Sequence, residues 1–356
     1  MDAYKQLGIY KDIVDHHIED FFRQRIHDMR DVDPYASYMM KLLKEYTLRG
    51  GKRIRAAMMY YGYKLFSQKN IDEAIKASIA FELIQSYLLI HDDIIDQDEM
   101  RRNGPTMHRM FEEAHKKTYG SPGSGHFGAS MAILAGDIAN HLANLVILNA
   151  QMPVDRKLKA ATELNRSVHR VIYGEALDVL SNFQDNVKEA DILRIHNLKT
   201  ASYTFEGPLL VGAILGGAPQ EKLDILSDYA LPLGQAFQIQ DDIQDIFGDE
   251  KKLGKPPGSD LKEGKKTLLV MKALEKADKR EMAALNKALG NPKLTKSMVE
   301  DVQAVMVTTG SLDYSRRLAN RLIRESRAAI EKLNMPGDAQ DFLVGIADYM
   351  LERNQK

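Results

Sequence analysis

The sequence predicts an all-α protein organised as one large helical bundle. Apolar residues recur at three- and four-residue steps, the spacing that places them on one face of a helix. Alternating segments rich in β-branched and aromatic residues, the pattern of strands, are hard to find. The periodic segments cover residues 78–93, 129–150, 155–180 and 230–247.

Glycine and proline separate these segments into successive helices. Each break contains residues of the kind that end a helix. None of the breaks is long or monotonous enough to act as a domain linker. We therefore expect a single domain over residues 1–356 with ten or more helices. The breaks lie at residues 101–106, 119–128, 151–155, 216–220, 253–266, 289–293 and 334–338.

Composition indicates a soluble, cytoplasmic protein with a sizeable core. Hydrophobic residues make up 44% of the 356 residues and charged residues 28%. The formal net charge of -1 provides no global field that would attract nucleic acid. Cysteine is absent, which excludes disulfides and thiolate metal sites and fits a reducing compartment. The start of the chain is mixed and charged, unlike a signal peptide, and the apolar run at 207–219 is shorter than the roughly 20 residues that span a bilayer, so we expect no membrane span.

An acidic motif occurs twice, as Asp-Asp-Ile-Ile-Asp at 92–96 and as Asp-Asp-Ile-Gln-Asp at 241–245. Residues four apart share a helix face, so Asp92 points with Asp96, and Asp241 points with Asp245. Like charges so placed repel, and carboxylates in a poorly hydrated space need cations. Carboxylates without Cys or paired His favour Mg²⁺, with Mn²⁺ or Ca²⁺ as alternatives. Mg²⁺ commonly binds substrate phosphates as well, so the repeat indicates a phosphorylated ligand.

Basic residues follow or precede these motifs in short clusters. The segment Gly-Gly-Lys-Arg-Ile-Arg at 50–55 stands directly before an apolar helix, where glycine allows close approach and a helix N-terminus attracts anions. Arg101 and Arg102 follow the first acidic motif, and guanidinium groups grip phosphate in bidentate fashion. Further candidates are Lys199 with Thr200, Lys255, Lys265 and Lys266. The cations exceed what one small anion requires, which indicates two phosphorylated ligands.

Each cluster also has a plainer interpretation. A single Asp-Asp-x-x-Asp is more often a solvated helix end than a metal site, and a basic turn is often only exposed surface. Two copies that both follow apolar helix favour the metal interpretation, since a solvated face would be expected to look polar.

The ordered motifs resemble those of the trans-type isoprenyl diphosphate synthases, closest to archaeal geranylgeranyl diphosphate synthases. The resemblance covers residues 40–270 and includes Gly-Glu-Ala-Leu-Asp at 174–178 and Gly-Lys-Lys-Thr at 264–267. It implies an all-α fold around a central cavity, a homodimer, and Mg²⁺ as cofactor with up to three ions. The implied reaction condenses isopentenyl diphosphate with dimethylallyl, geranyl or farnesyl diphosphate.

The resemblance also implies roles for individual residues. Metal ligands would be Asp92, Asp96 and Asp241, helped by Asp93 and Asp245. The allylic diphosphate would be held by Arg101, Lys199, Lys255 and Lys265, with Thr200 and Gln238 near the carbocation. Isopentenyl diphosphate would be bound by Lys52, Arg55, Arg102 and Gln85. The catalytic group would be Asp92, Asp96, Asp241, Arg101, Lys199 and Lys265. Glu175 stands where Gln is common, so its role stays open.

Product length is the last inference from the resemblance. In this family the hydrocarbon tail grows along the helix that ends at the first aspartates, where bulky residues form a floor. Tyr87 and Leu88 occupy that region, and one aromatic there resembles synthases of the C20 product geranylgeranyl diphosphate. The alternatives are that Tyr87 is only a core residue, or that the product is farnesyl diphosphate or a chain of C25 and above.

Two other functions remain as alternatives. A terpene cyclase shares the fold, but its second metal motif differs and it needs no second diphosphate site. A non-catalytic partner subunit would be expected to lose the acidic motifs, which are both intact here.

Overall fold

The computed structural model of the protein describes residues 3–184, 186–248 and 257–355, and helices dominate these ranges. The predicted all-α fold is confirmed. The first ten helices are α1 (Ala3–Arg30), α2 (Pro34–Leu48), α3 (Ile54–Phe66), α4 (Ile71–Ile95), α5 (Met107–Tyr119), α6 (Ser124–Asn149), α7 (Val154–Ser181), α8 (Glu189–Ile195), α9 (Gly207–Gly216) and α10 (Gln220–Phe247). A π-helix, His196–Glu206, joins α8 to α9. The later helices are α11 (Ser259–Glu263), α12 (Leu268–Leu274), α13 (Lys279–Ala288), α14 (Lys296–Thr308), α15 (Ser311–Glu331) and α16 (Asp338–Gln355).

The chain divides into two compact units. The first unit comprises Asp2–Leu164 and Pro208–Ala218, and the second comprises Asn165–Gly207 and Pro219–Lys356. The single domain expected over residues 1–356 stays a prediction.

Helix α4 forms the centre of the first unit. Phe81, Ile84 and Ile90 are fully or almost fully buried, because α4 is surrounded by α1, α3 and α6. Close approach elsewhere in this unit depends on glycine: a Cβ atom on Gly212 of α9 would lie 1.9 Å from the carbonyl oxygen of Met59 in α3. Because α4 is held on several sides, its C-terminal end with the first acidic motif has a fixed position.

A two-residue hairpin follows the first acidic motif, where the sequence indicated only a break. Strands β1 (Met100–Arg101) and β2 (Gly104–Pro105) pair antiparallel, with Arg101 opposite Gly104. The two residues between the strands, Arg102 and Asn103, both have positive φ values of 51° and 60°. Positive φ at both central positions is the signature of a type I′ turn. The arginine pair is therefore split between a strand and a turn.

Helix α10 is the corresponding centre of the second unit. Tyr229, Leu233, Ala236 and Ile239 are fully buried along it, against α15 and the π-helix. Gly234 permits the close contact with the π-helix, since a Cβ atom there would lie 2.3 Å from Cα of Ala201. π-Helical segments are rare and often occur at functional sites.

Helix α6 bears on the expectation that the chain has no membrane span, which stays a prediction. By length and composition this helix is apolar enough to cross one, and 39% of its most apolar stretch lies buried. Core helices of soluble proteins meet the same criterion. Its exposed apolar residues include Ile133, Leu134, Leu145 and Leu148.

Candidate active site

The three aspartates of the first acidic motif have different surroundings at the end of α4. Asp92 and Asp96 are partly exposed, whereas Asp93 is fully buried. One oxygen of Asp93 accepts a 2.6 Å hydrogen bond from the Tyr46 hydroxyl, and the other accepts one of 2.7 Å from Nε of Arg101. Burial raises the pKa of Asp93, and these two donors oppose the shift. Asp93 therefore holds Arg101 in place, whereas Asp92 and Asp96 remain accessible.

Arg101 is attached to this acidic end of α4 by more than one carboxylate. Its Nη2 lies 2.6 Å from Asp93, 2.9 Å from Asp98 and 3.9 Å from Asp92. The side chain is 27% exposed, so part of it faces solvent. Arg101 is thus positioned to contact an anion that binds beside Asp92.

Arg102 is attached to a different part of the first unit, the glycine loop at 49–51. Its Nη1 donates to the carbonyl oxygens of Arg49 at 3.0 Å and Gly50 at 3.2 Å. A Cβ atom on Gly51 would lie 3.3 Å from both terminal nitrogens of Arg102, so the glycine leaves room for the guanidinium. Arg101 and Arg102, although adjacent in sequence, therefore contact two separate parts of the first unit.

The basic residues around this loop repel one another. Burial lowers the pKa of Arg102, and repulsion from Arg53 and Arg55 lowers it further against the opposing effect of Glu82. Lys52 is exposed beside them, with Nζ 5.8 Å from the ring centre of Tyr4. Such a cluster is relieved by a bound anion. Arg55 thus lies close enough to Arg102 to repel it, Lys52 is exposed in the same loop, and Gln85 is buried in the same unit. That these residues bind isopentenyl diphosphate stays a prediction.

Arg53, which the sequence analysis left without a role, is the buried member of the basic segment. Its side chain is 2% exposed, donates to Asp15 at 2.7 Å and to Glu82 at 2.9 Å, and also donates to the carbonyl oxygen of Thr47 at 3.0 Å. Its φ of 54° lies in the left-handed region directly before α3. Arg53 thus ties the loop to α1 and α4 rather than facing a ligand. The sequence gives no signal that Arg53 is buried whereas its basic neighbour Lys52 is exposed.

Thr200 and Gln238 form a hydrogen-bonded chain in the second unit. The Thr200 hydroxyl donates to Gln238 at 2.5 Å, and the Gln238 amide donates to Asp242 at 2.7 Å. The other oxygen of Asp242 lies 3.4 Å from Nε2 of buried His196. These residues line a cavity of about 80 Å³ together with Lys199 and Lys265. Thr200 and Gln238 are thus hydrogen-bonded to each other, and their place near the carbocation stays a prediction.

Lys199 extends from the π-helix toward α7. Its ammonium lies 2.7 Å from Glu175 and 2.7 Å from Asp178. Gly174 makes this approach possible, since a Cβ atom there would lie 2.5 Å from the backbone nitrogen of Lys199. Both acidic residues of the Gly-Glu-Ala-Leu-Asp segment therefore contact one predicted substrate-binding lysine.

The second acidic motif differs from the first, because its third aspartate, Asp245, is buried whereas Asp96 is partly exposed. Asp241 is partly exposed on α10, whereas Asp245 is buried. Asp245 accepts a hydrogen bond from the Ser259 hydroxyl and one of 2.9 Å from the backbone nitrogen of Asp260. It thereby fixes the start of α11, the helix that precedes Lys265. Lys265 lies 2.5 Å from Glu263 and 3.9 Å from Asp260, and Lys255 lies outside the described residues.

Tyr87 and Leu88, the predicted chain-length residues, lie one turn before Asp92 on α4. Tyr87 is 9% exposed and packs edge-on against His91, with ring centres 4.8 Å apart. His91 is set against Gly136 of α6, where a Cβ atom would lie 2.5 Å from Nε2. Tyr87 is therefore packed against His91, which in turn lies against α6.

The donor chemistry of both motifs suits Mg²⁺ bound together with phosphate. Among residues 3–184, 186–248 and 257–355, no three Asp, Glu, His or Cys side chains form a group that could hold a metal alone. Mg²⁺ is usually bound by one or two carboxylates, and water and phosphate oxygens complete its octahedron. Asp92 with Asp96, and Asp241 in the other unit, provide such incomplete sets of hard oxygen donors.

Comparison with known proteins places this chain in a family. The polyprenyl synthetase family model matches residues 36–306. The chain is 32% identical over 343 residues to geranylgeranyl diphosphate synthase of Sulfolobus acidocaldarius, with 94% of this chain and 97% of the relative covered. It is 30% identical over 346 residues to geranylfarnesyl diphosphate synthase of Aeropyrum pernix, with 96% and 99% covered.

A solved structure gives the same result for the fold. The crystal structure of geranylgeranyl pyrophosphate synthase from Corynebacterium glutamicum, complexed with isoprenyl diphosphate and magnesium, aligns with a TM-score of 0.90. The sequence identity is 28%, and the alignment covers 97% of this chain and 98% of that protein. The resemblance inferred from the motifs is confirmed: the chain belongs to the polyprenyl synthetase family.

Proposed function

We propose that the protein is a Mg²⁺-dependent prenyltransferase that condenses isopentenyl diphosphate with an allylic diphosphate, with geranylgeranyl diphosphate as the main product. The observation that carries this proposal is the split of the arginine pair. Arg101 is joined to the acidic end of α4, whereas Arg102 is joined to the glycine loop. Two anion sites with different surroundings are what a condensation of two diphosphates needs, whereas a terpene cyclase needs one.

Both acidic motifs would hold Mg²⁺ for the allylic diphosphate, through Asp92 and Asp96 in the first unit and through Asp241 in the second. Magnesium held by Asp92, Asp96 and Asp241 would neutralise the charge that develops on the leaving diphosphate. Arg101, Lys199 and Lys265 would contact the diphosphate oxygens directly. Asp93 and Asp245 take positioning roles in this proposal, because their oxygens already accept hydrogen bonds from Arg101 and from the start of α11.

The site for isopentenyl diphosphate would be the basic cluster of the first unit. Lys52, Arg55 and Arg102 would bind its diphosphate without metal, with Gln85 nearby. In the reaction, the allylic carbon–oxygen bond breaks and pyrophosphate leaves with the bonding electrons. The double bond of isopentenyl diphosphate then attacks the allylic carbon, and a proton is lost to form the new double bond. Thr200 and Gln238 would orient the departing group.

The decisive assay uses purified protein, Mg²⁺, labelled isopentenyl diphosphate and an allylic primer. Label should enter prenyl products with dimethylallyl, geranyl or farnesyl diphosphate. A cyclised hydrocarbon formed from the primer alone would support the cyclase instead. Absence of incorporation with all three primers would contradict the proposal.

Product length provides a second test. In Tyr87→Ala the ring that packs against His91 is lost, so we expect the main product to lengthen by at least one isoprene unit. Tyr87→Phe, which keeps the ring, should retain the C20 product. Chromatography of the dephosphorylated products measures this, and the same distribution for Tyr87→Ala and the wild type would contradict a floor at this position. The Aeropyrum pernix relative, a geranylfarnesyl diphosphate synthase, makes a longer product the alternative.

We further propose a homodimer formed through α6. Leu134, Leu145 and Leu148 are 41–51% exposed on this helix, and a contiguous exposed apolar surface marks an interaction site. Light scattering should therefore give twice the mass of one chain, and Leu134→Glu with Leu145→Glu should lower it. A wild-type mass equal to one chain at micromolar concentration would contradict the proposal. A cytoplasmic location stays a prediction.

A further inference from the structure

Lys199 faces more negative charge than is needed to neutralise it. Its ammonium is 2.7 Å from Oε2 of Glu175 and 2.7 Å from Oδ2 of Asp178, residues one turn apart on α7. Burial raises the pKa of Asp178, but the charge and hydrogen bond of Lys199, together with the charges of Lys265 and His196, outweigh this and keep the pKa below its ordinary value. Asp178 is thus ionised and sufficient as counter-ion. Glu175 adds a second negative charge beside the same ammonium.

The same lysine borders the cavity of the second unit. Lys199, Asp178, Thr200 and Gln238 all line this cavity. The Lys199 side chain is 25% exposed, and Glu175 and Asp178 are 21% and 20% exposed. All three groups are therefore partly reachable by a ligand. A diphosphate that enters must either draw the ammonium away from Glu175 or bind against its negative charge.

The backbone keeps this competition in place. Gly174 holds the start of the π-helix directly against α7, so the base of the Lys199 side chain cannot move away from Glu175. The contact can be released only by the flexible end of the lysine side chain. An incoming diphosphate would thus compete with the α7 carboxylates for the Lys199 ammonium.

We propose that Glu175 is a positioning residue that acts through Lys199 and lowers the affinity of the site for allylic diphosphate and pyrophosphate. This inference rests on the proposed function. Because substrate, product and pyrophosphate all carry the same anionic group, a lower affinity shortens the time for which the elongated product and pyrophosphate remain bound. Glu175 therefore favours release over retention.

The test is Glu175→Gln, which removes the charge and keeps the shape. We expect the KM for the allylic diphosphate and the Kd for inorganic pyrophosphate with Mg²⁺, measured by titration calorimetry, each to fall about fivefold. That factor corresponds to about 1 kcal/mol. The KM for isopentenyl diphosphate should stay constant, and the effect should shrink at high ionic strength because the three groups are partly exposed.

Two further variants separate this role from a structural one. Glu189→Gln is the matched control, since Glu189 is also ion-paired in the second unit, but its partner Lys272, 2.9 Å away, does not line the cavity as Lys199 does. It should leave both constants unchanged. In a Lys199→Met background, Glu175→Gln should change the pyrophosphate Kd less than twofold, because the coupling requires the ammonium.

The outcomes are distinguishable from failure of the proposed function. An unchanged or higher Kd in Glu175→Gln, or a fivefold decrease that persists without Lys199, would overturn the role of Glu175. Pyrophosphate binding tests this even if the wild type incorporates no isopentenyl diphosphate, a result that would instead reject the enzymatic proposal. Glu175→Ala should shift the Kd in the same direction, which covers the case in which Gln forms a new hydrogen bond.

Discussion

Asp92→Asn is expected to lower kcat about 1,000-fold while the protein remains folded. The substitution keeps the side-chain shape at a position that is only partly buried, so the packing of α4 is preserved. It removes one of the carboxylates proposed to hold Mg²⁺ against the leaving diphosphate. Charge stabilisation of this kind is worth several kcal/mol, and about 4 kcal/mol corresponds to a factor of roughly 1,000 in rate. Initial rates at saturating substrate, measured over a range of Mg²⁺ concentrations, provide the test.

A neighbouring carboxylate provides the control for this variant. Glu99 follows the same helix end, but it is 73% exposed and pairs with Arg109 at 2.7 Å. Glu99→Gln should therefore leave kcat within about twofold of the wild type, as expected for a surface ion pair. Circular dichroism should show equal helix content in both variants. A kcat for Asp92→Asn within tenfold of the wild type, with the fold intact, would contradict a metal role for Asp92.

Helical periodicity was sufficient to predict the fold class because the amphipathic spacing is a local property. The same locality explains why the acidic motifs could be found, since both lie within one or two helical turns. The four-residue spacing predicts that Asp92 shares a face with Asp96 and Asp241 with Asp245. Asp92 and Asp96 are both partly exposed, whereas Asp241 is partly exposed and Asp245 is buried.

The burial of Asp93 and Asp245, in contrast, could not be predicted. Asp93 is buried because Tyr46 and Arg101 approach it from other elements, and Asp245 is buried because α11 begins on its carboxylate. Identical letters in a motif carry no information about these distant partners. The sequence therefore predicts which residues gather at a site but not which of them face a ligand and which hold the others.

The hairpin formed by β1 and β2 is a further feature that sequence patterns do not predict. The segment at 101–106 contains turn residues, but a type I′ turn with Arg102 and Asn103 at its centre is not the usual Asn-Gly combination. The turn forms because Arg102 binds the carbonyl oxygens of the glycine loop, which offsets the strain of a positive φ. Tertiary contacts decide this local conformation, and they also decide that the two arginines diverge.

Arg53→Met should cause the largest loss of stability among the substitutions considered. The side chains of Arg53 and Glu82 are 2% and 5% exposed, and their hydrogen bond is 2.9 Å long. Removal of one partner from a buried ion pair leaves an uncompensated charge, which costs about 3 to 5 kcal/mol. We therefore expect the free energy of unfolding to fall by about 3 kcal/mol, measured by denaturant titration. Arg53→Lys should recover only part of this, because a lysine cannot reproduce the forked contacts with Glu82, Asp15 and the Thr47 carbonyl oxygen.

Lys52→Met is the matched control, since Lys52 is the exposed neighbour in the same loop. It should change the free energy of unfolding by less than about 0.5 kcal/mol, yet raise the KM for isopentenyl diphosphate because its charge faces the proposed ligand. The double variant Arg53→Met with Glu82→Gln should be more stable than Arg53→Met alone, since it removes the stranded carboxylate. Equal stability of Arg53→Met and Lys52→Met would show that the buried contacts of Arg53 do not support the loop. A larger loss of stability in Arg53→Met and a larger rise of the KM for isopentenyl diphosphate in Lys52→Met would show that Arg53 supports the loop and that Lys52 binds the substrate.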